Sequence, residues 1–391
     1  MTVIKLPTAT PEPPTQPKRA PRLARHELEL PSGIRATVSV AGRGVPLVVV
    51  HGFMAEGFLY AQTLNRLVAM GFKVIAIDAG GHGGTSELPE HGYEFDAYVD
   101  QLEEVCQVLG IRRAVFAGHS MGGRLALRLA ARNPDNAIAV IPISAITGQT
   151  WDDFMARARE FPVIVPWLGL LLVADSLTIF PLIKNARQAR KLIKLAMPLG
   201  LRHLRGPWKM IAPMLAILRD GSSEPQLDLM REHDVPVIAV HGDKDLIVPL
   251  ATARDTAERA GGQLVVVHRG LHSWLLTDPE TLPAIFAELL RGPLWSSYER
   301  ALRAEGINPE TATANEIENA FYAPNARIRM LTPDSPTYDL APDELIRPRY
   351  TWSRLAFEPG STEANKRRVL QPQPVAEIAR RYGPNARSEA S

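Results

Sequence analysis

The stretch AVFAGHSMGGRLALRLA, residues 114–130, joins two patterns that no single element can hold. Residues 114–117 are uninterruptedly apolar, as a strand buried on both faces requires, and Leu125, Ala126, Leu129 and Ala130 follow at helical spacing. The chain must therefore turn from strand to helix within Gly118, His119, Ser120, Met121 and Gly122, with Gly123 behind them. A corner this tight presses backbone on backbone, so the positions two before and two after its apex need residues almost without side chains. Ser120, at the apex, is driven outward at the carboxyl end of a sheet. The Met121 N–H, at the head of the helix, points toward any oxygen that becomes negative beside the serine.

Strand-like and helix-like segments alternate around this corner. HELEL, ATVSVA, VPLVVV, KVIAID, AVFAGH and AIAVIPIS read as strands between about 26 and 145, with helices near 58–70, 96–109 and 121–132. PVIAVHG, a helix near 250–260, QLVVVH and a helix near 280–291 resume the pattern. Such alternation specifies an α/β fold, a mostly parallel central sheet flanked by helices on both faces. The expected core is 26–146 plus 231–292. Residues 147–230 hold no convincing strand and read as a helical insertion. Residues 1–25, Pro-rich and lacking an apolar signal-peptide core, read as a disordered tail. Residues 293–391 form a polar, Pro-rich extension, either disordered or wrapped on the domain through Trp295, Phe321, Tyr322, Tyr350 and Trp352. A formal net charge of +2 argues against a nucleic-acid partner. Cys106 is the only cysteine and sits in a helix-like run, so it reads as a structural thiol in a reducing, cytoplasmic compartment.

A serine hydroxyl needs a base, and the base needs a carboxylate, each placed at a later strand end. His272 in HRGLHSWLLTDPE is the expected base, with His268, at the strand end itself, as the competitor. HGDKD offers Asp245 and Asp243. Asp245 lies farther past the strand and is favoured as the acid, while Asp243 reads as a turn-former. No carboxylate lies between residue 136 and Asp152, which argues against an acid after AIAVIPIS. Gly52 in VVVHGFM lets its loop approach the serine, so the Phe53 N–H can join that of Met121 as an oxyanion donor. His51 reads as a brace for that loop.

With the HGF loop, the GHSMGG elbow, the HGDKD turn and the GLH loop in the order Ser, Asp, His, residues 26–292 resemble the α/β-hydrolase family. DAGGHGGTS at 78–86 resembles the family's D-x-P-G-H-G-x-S turn, with Gly80 for proline and Thr85 for serine, a departure expected to loosen the loop, and His82 structural. The resemblance implies hydrolysis through an acyl-enzyme with catalytic Ser120, Asp245 and His272, no metal and no organic cofactor. It also implies that the insertion after the sixth core strand is a helical cap over the site.

That insertion is unusual. Residues 161–183 carry one charge, Asp175, and length alone would suit a membrane span. Pro162, Pro166 and Pro181 interrupt it, and a crossing would separate Ser120 from His272, so a span is rejected. Residues 176–219 hold nine basic residues and no acidic one. At 100° per residue Lys184, Arg187, Lys191 and Lys194 share a helical face, with Ala186, Ala189, Ile193 and Ala196 opposite. Two readings stay open: a cap helix with solvated charges, or a surface for an anionic membrane or a lipid-like substrate. The function expected is a serine hydrolase cleaving a small carboxylic ester with an apolar acyl or alcohol part. The alternatives are C–C hydrolysis of a diketone, acyl transfer, and cofactor-free perhydrolysis. A non-enzymatic ligand-binding protein predicts a damaged triad, and a dehalogenase would need a carboxylate in place of Ser120.

Overall fold

A computed structural model describes residues 23–88, 92–183, 186–331, 348–357 and 368–370. The tail at 1–22 and the residues after 370 lie outside the described residues. The first strand starts earlier than the sequence suggested, at Ala24. Among the described residues one ten-stranded sheet is ordered β1-β2-β4-β3-β5-β6-β7-β8-β9-β10. Its strands are β1 Ala24–Glu29, β2 Arg35–Ala41, β3 Val45–Val50, β4 Phe72–Ile77, β5 Ala114–His119, β6 Ala137–Ile143, β7 Ile238–Gly242, β8 Gln263–Val267, β9 Trp352–Ala356 and β10 Arg368–Leu370. From β4 through β8 neighbours are parallel, and antiparallel pairs close both edges.

The inner strands β3, β4 and β5 are buried at every residue, which explains their continuous apolar text. Helices α1 Ala61–Ala69, α2 Phe95–Leu109 and α3 Met121–Arg132 cover the sheet between its earlier strands. The segment between β6 and β7 holds α4 Gln149–Glu160, α5 Ile164–Leu182, α6 Ala186–Arg205, α7 Ile211–Arg219 and α8 Glu224–Glu232. Its root is pinned to the domain by Arg124 of α3, a buried guanidinium 2.7 Å from Asp152 and also paired with Asp220. Leaving either charge unpaired there would cost about 3–5 kcal/mol. After β7 come α9 Leu250–Arg259, α10 Trp274–Thr277 and α11 Thr281–Leu289, then α12 Pro293–Ala304 and α13 Ala314–Phe321.

Three sequence readings need correction. Prolines do not interrupt the apolar segment: Pro166 falls in the first turn of α5, where no intrahelical N–H bond is lost, and Pro181 next to its last residue. In α6 the inward residues are Gln188, Leu192, Leu195 and Leu199, whereas Ile193, assigned to the packed face, is exposed. Lys184 lies outside the described residues, and the Arg187 side chain is not described. The turn at 78–86 is not loose. Thr85 Oγ1 accepts from the Thr37 N–H at 3.0 Å and donates to the Asp78 carbonyl at 2.7 Å, so threonine does the work of serine. No helix among the described residues is long and apolar enough to cross a membrane.

The polar text after 292 holds α12, α13 and β9. Phe321, Tyr322, Tyr350 and Trp352 are all buried, with the Trp352 indole donating to Glu288 at 2.7 Å. Large aromatic side chains bury enough area to anchor a segment whose remaining residues are polar.

Candidate active site

The corner between β5 and α3 has the geometry its glycines require. Ser120 sits at φ 53°, ψ −120°, a conformation costing a non-glycine residue about 1–3 kcal/mol. Backbone bonds hold it there: its N–H donates to the Ile143 carbonyl at 2.9 Å, and its carbonyl accepts from Gly123 at 3.0 Å and from Ile146 at 3.4 Å. A methyl group on Gly118 would lie 2.1 Å from the Gly122 carbonyl oxygen, and one on Gly122 2.2 Å from that of Val50. Neither glycine can be replaced without moving the corner. Met121 opens α3, so its N–H has no carbonyl within the helix. The loop after β3 comes close: a methyl on Gly52, the residue before Phe53, would lie 3.3 Å from Ser120 Cβ. His51 braces this loop, its Nδ1–H donating to the Gly52 carbonyl at 2.8 Å and its Nε2 accepting from Ala79 at 3.0 Å.

The turns after β7 and β8 bring two aspartates to two histidines. Asp243 Oδ2 is 3.3 Å from His268 Nδ1, and Asp243 Oδ1 accepts the Arg269 N–H at 2.6 Å. This pair is only half-buried. Asp245 Oδ2 is 2.8 Å from His272 Nδ1, and both side chains are almost completely buried. Asp245 Oδ1 accepts from the Ile247 and Val248 N–H groups at 2.9 Å each. Burial alone would raise the Asp245 carboxyl, but His272, then His241 at 3.4 Å and the Val248 amide, outweigh it and hold it below its ordinary range. Burial likewise opposes charge on His272, yet the Asp245 carboxylate, with help from Asp175, lifts the imidazole above its ordinary value. With Nδ1–H given to Asp245, Nε2 is the nitrogen left to accept a proton.

His272 is fixed at its backbone as well. The His119 Nε2–H donates to the His272 carbonyl at 3.1 Å, and the two rings lie 4.8 Å apart. His119 immediately precedes Ser120, so this bond joins the histidine loop to the serine corner. With Nε2 protonated, His119 Nδ1 must accept, and the Tyr60 hydroxyl donates to it at 3.0 Å. Burial pulls His119 down to about 3, so the ring stays neutral and its tautomer fixed. On the other flank the Ser273 N–H donates to Asp175 Oδ2 of α5 at 3.1 Å. Sequence reasoning missed Tyr60, His119 and Asp175 as partners of this loop. Only Asp175 left a signal, as the single charge in an apolar run.

The family model described as alpha/beta hydrolase fold matches residues 45–279. The chain belongs to the α/β hydrolase family. A Mycobacterium phage D29 protein that bears a non-heme haloperoxidase name is 31% identical over 67% of this hydrolase and 94% of its own length. The pimeloyl-[acyl-carrier protein] methyl ester esterase of Vibrio atlanticus is 29% identical over 55% of the hydrolase and 82% of itself. Among solved structures, an esterase from Exiguobacterium antarcticum aligns with TM-score 0.54 and 22% identity, covering 68% of this hydrolase and 99% of that chain. A membrane phospholipase A aligns with TM-score 0.56 and 18% identity, covering 70% and 87%. These two likenesses concern the fold.

Proposed function

We propose that this hydrolase cleaves a carboxylic ester with an apolar acyl or alcohol part through an acyl-enzyme on Ser120. The observation that carries the reading is the buried Asp245–His272 pair, tied through His119 to the corner that holds the serine. In the proposed cycle His272 Nε2 takes the Ser120 proton as the oxygen attacks the ester carbonyl. Asp245 keeps the imidazole in the required tautomer and stabilises the imidazolium. The Phe53 and Met121 N–H groups receive the oxyanion, each donor being worth about 3 kcal/mol of barrier. Collapse of the tetrahedral intermediate breaks the ester C–O bond, and His272 returns the proton to the departing alcohol. Water, deprotonated by the same histidine, then releases the acid and restores the serine. The apolar insertion favours acyl chains over sugars or peptides. Relatives named as an esterase and as a monoacylglycerol lipase support an ester substrate. The lone Cys106 fits a reducing compartment such as the cytoplasm.

The test is labelling by a fluorophosphonate and turnover of p-nitrophenyl esters of increasing chain length. Labelling abolished in Ser120→Ala, with kcat/KM rising along the series, is expected. An unlabelled wild type would overturn the reading. The relatives with haloperoxidase names favour one second reaction, perhydrolysis. Here hydrogen peroxide, giving its proton to His272, replaces water in attacking the acyl carbon; the bond from that carbon to Ser120 Oγ breaks, Oγ takes the proton back, and a peracid leaves. Peracid formed from ester plus peroxide, and lost in Ser120→Ala, would support it.

A further inference from the structure

Helix α5 is built inside out. Its one charge, Asp175, turns inward to the Ser273 N–H. Its large apolar residues Trp167, Leu170, Val173 and Leu177, spaced as one helical stripe, turn outward, and Trp167 and Leu177 are 64% and 70% exposed. Helix α6 repeats this: Ile193, Met197, Leu201 and Leu204 are exposed at spacings of four and three, Leu204 by 81%. Single exposed leucines are ordinary on any protein, but stripes on two successive helices call for an apolar phase to cover them.

The charge around the stripes narrows what that phase is. Arg190, Lys194 and Arg205 are exposed on α6, and no acidic residue lies between 176 and 219. A depression of about 460 Å³ at the end of α6 is lined by Leu201, Arg202, Arg205 and Lys209 among others, apolar and basic side by side. Arg202 is held 3.1 Å from Glu56 and Lys209 3.0 Å from Glu87. An apolar protein partner would match the stripes without needing exposed cations beside them. An anionic bilayer matches both, with acyl chains for the leucines and phosphates for the cations.

We propose that α5 and α6 rest on an anionic phospholipid surface. Trp167, Leu170, Leu177, Met197 and Leu204 enter the acyl boundary, and Arg190, Lys194 and Arg205 sit at the level of the phosphates. This deepens the reading of an apolar ester substrate, and rests on it for the source of that substrate.

The experiment is flotation of the full chain with phosphatidylcholine vesicles, with and without about one-third phosphatidylglycerol. Wild type and Ser120→Ala should float equally and only with the anionic vesicles, so the result is independent of the proposed chemistry. Arg190→Glu/Lys194→Glu/Arg205→Glu should lower the partition at least about tenfold. Leu170→Asp/Leu177→Asp should abolish flotation while retaining the wild-type circular dichroism and cooperative thermal unfolding, which shows that it is folded. Wild type that stays with the aqueous phase, or variants that float as it does, would overturn the proposal. Stripe-dependent dimerisation without lipid, together with no flotation, would overturn it in favour of contact between two copies of the chain.

Discussion

The serine corner and the helical insertion, neighbours joined at His272 and its following residue, treat polar and apolar groups in opposite ways. At the corner, histidines and carboxylates are buried and partnered: Asp245 with His272 and two amides, His119 with Tyr60 and the His272 carbonyl. In the insertion, leucines and a tryptophan stand in water. Burying polar groups is tolerable only with full hydrogen bonding, which fixes their geometry, and geometry is what proton transfer needs. Exposing apolar groups fixes nothing within the chain. Its energetic return comes only from a second phase. On the proposals made above, the first region serves chemistry and the second contact.

If that division holds, substitutions at the corner act on rate and those on the outer stripes leave rate alone. Ser120→Ala should lower ester turnover by about 10⁴- to 10⁶-fold, measured against a fluorophosphonate-titrated wild type. Asp245→Asn should cost about 10⁴-fold, since the amide permits the wrong histidine tautomer. Its residual activity should also change its pH dependence. In the proposed cycle the neutral form of His272 is the base, so wild-type kcat/KM is expected to rise with pH through a value above that of an ordinary histidine, about 6.5. Removing the Asp245 charge moves that limb to lower pH.

His119→Phe breaks the link between corner and histidine loop, and a displacement of about 1 Å there should lower kcat about 10- to 100-fold with KM little changed. His119→Gln, whose amide can donate to the His272 carbonyl and accept from Tyr60, should recover much of the loss. Equal losses in both variants would mean that bulk, and not the relay, matters. Asp175→Asn keeps an acceptor for the Ser273 N–H but removes a negative charge near His272. The acid limb of the profile should move down, less than for Asp245→Asn. An unmoved limb would separate the insertion from the chemistry. The smallest effect belongs to Leu170→Ser/Leu177→Ser, expected to shift the denaturant-derived stability in lipid-free buffer by no more than about 0.5 kcal/mol. A loss of several kcal/mol would show that the stripe is packed in solution and would blur the division.

Local pattern alone determined much of this protein. Continuous apolar runs, helical spacing and the glycine-flanked serine fixed the strands, the helices and the corner, because each depends on sterics over a few residues. The order of Ser120, Asp245 and His272 followed from which strand ends carried an acid and a histidine. Burial, which the sequence did not display, separated Asp245–His272 from the nearly identical Asp243–His268 pair. Only the tertiary structure decided the rest, because it concerns which faces meet. Tyr60, His119 and Asp175 are far apart in the chain or unremarkable where they stand, and their partnership exists only once sheet, corner and insertion pack together. The outer face of α5 was equally hidden: an element apolar on every side carries no period, so its sequence cannot say which side it turns to water.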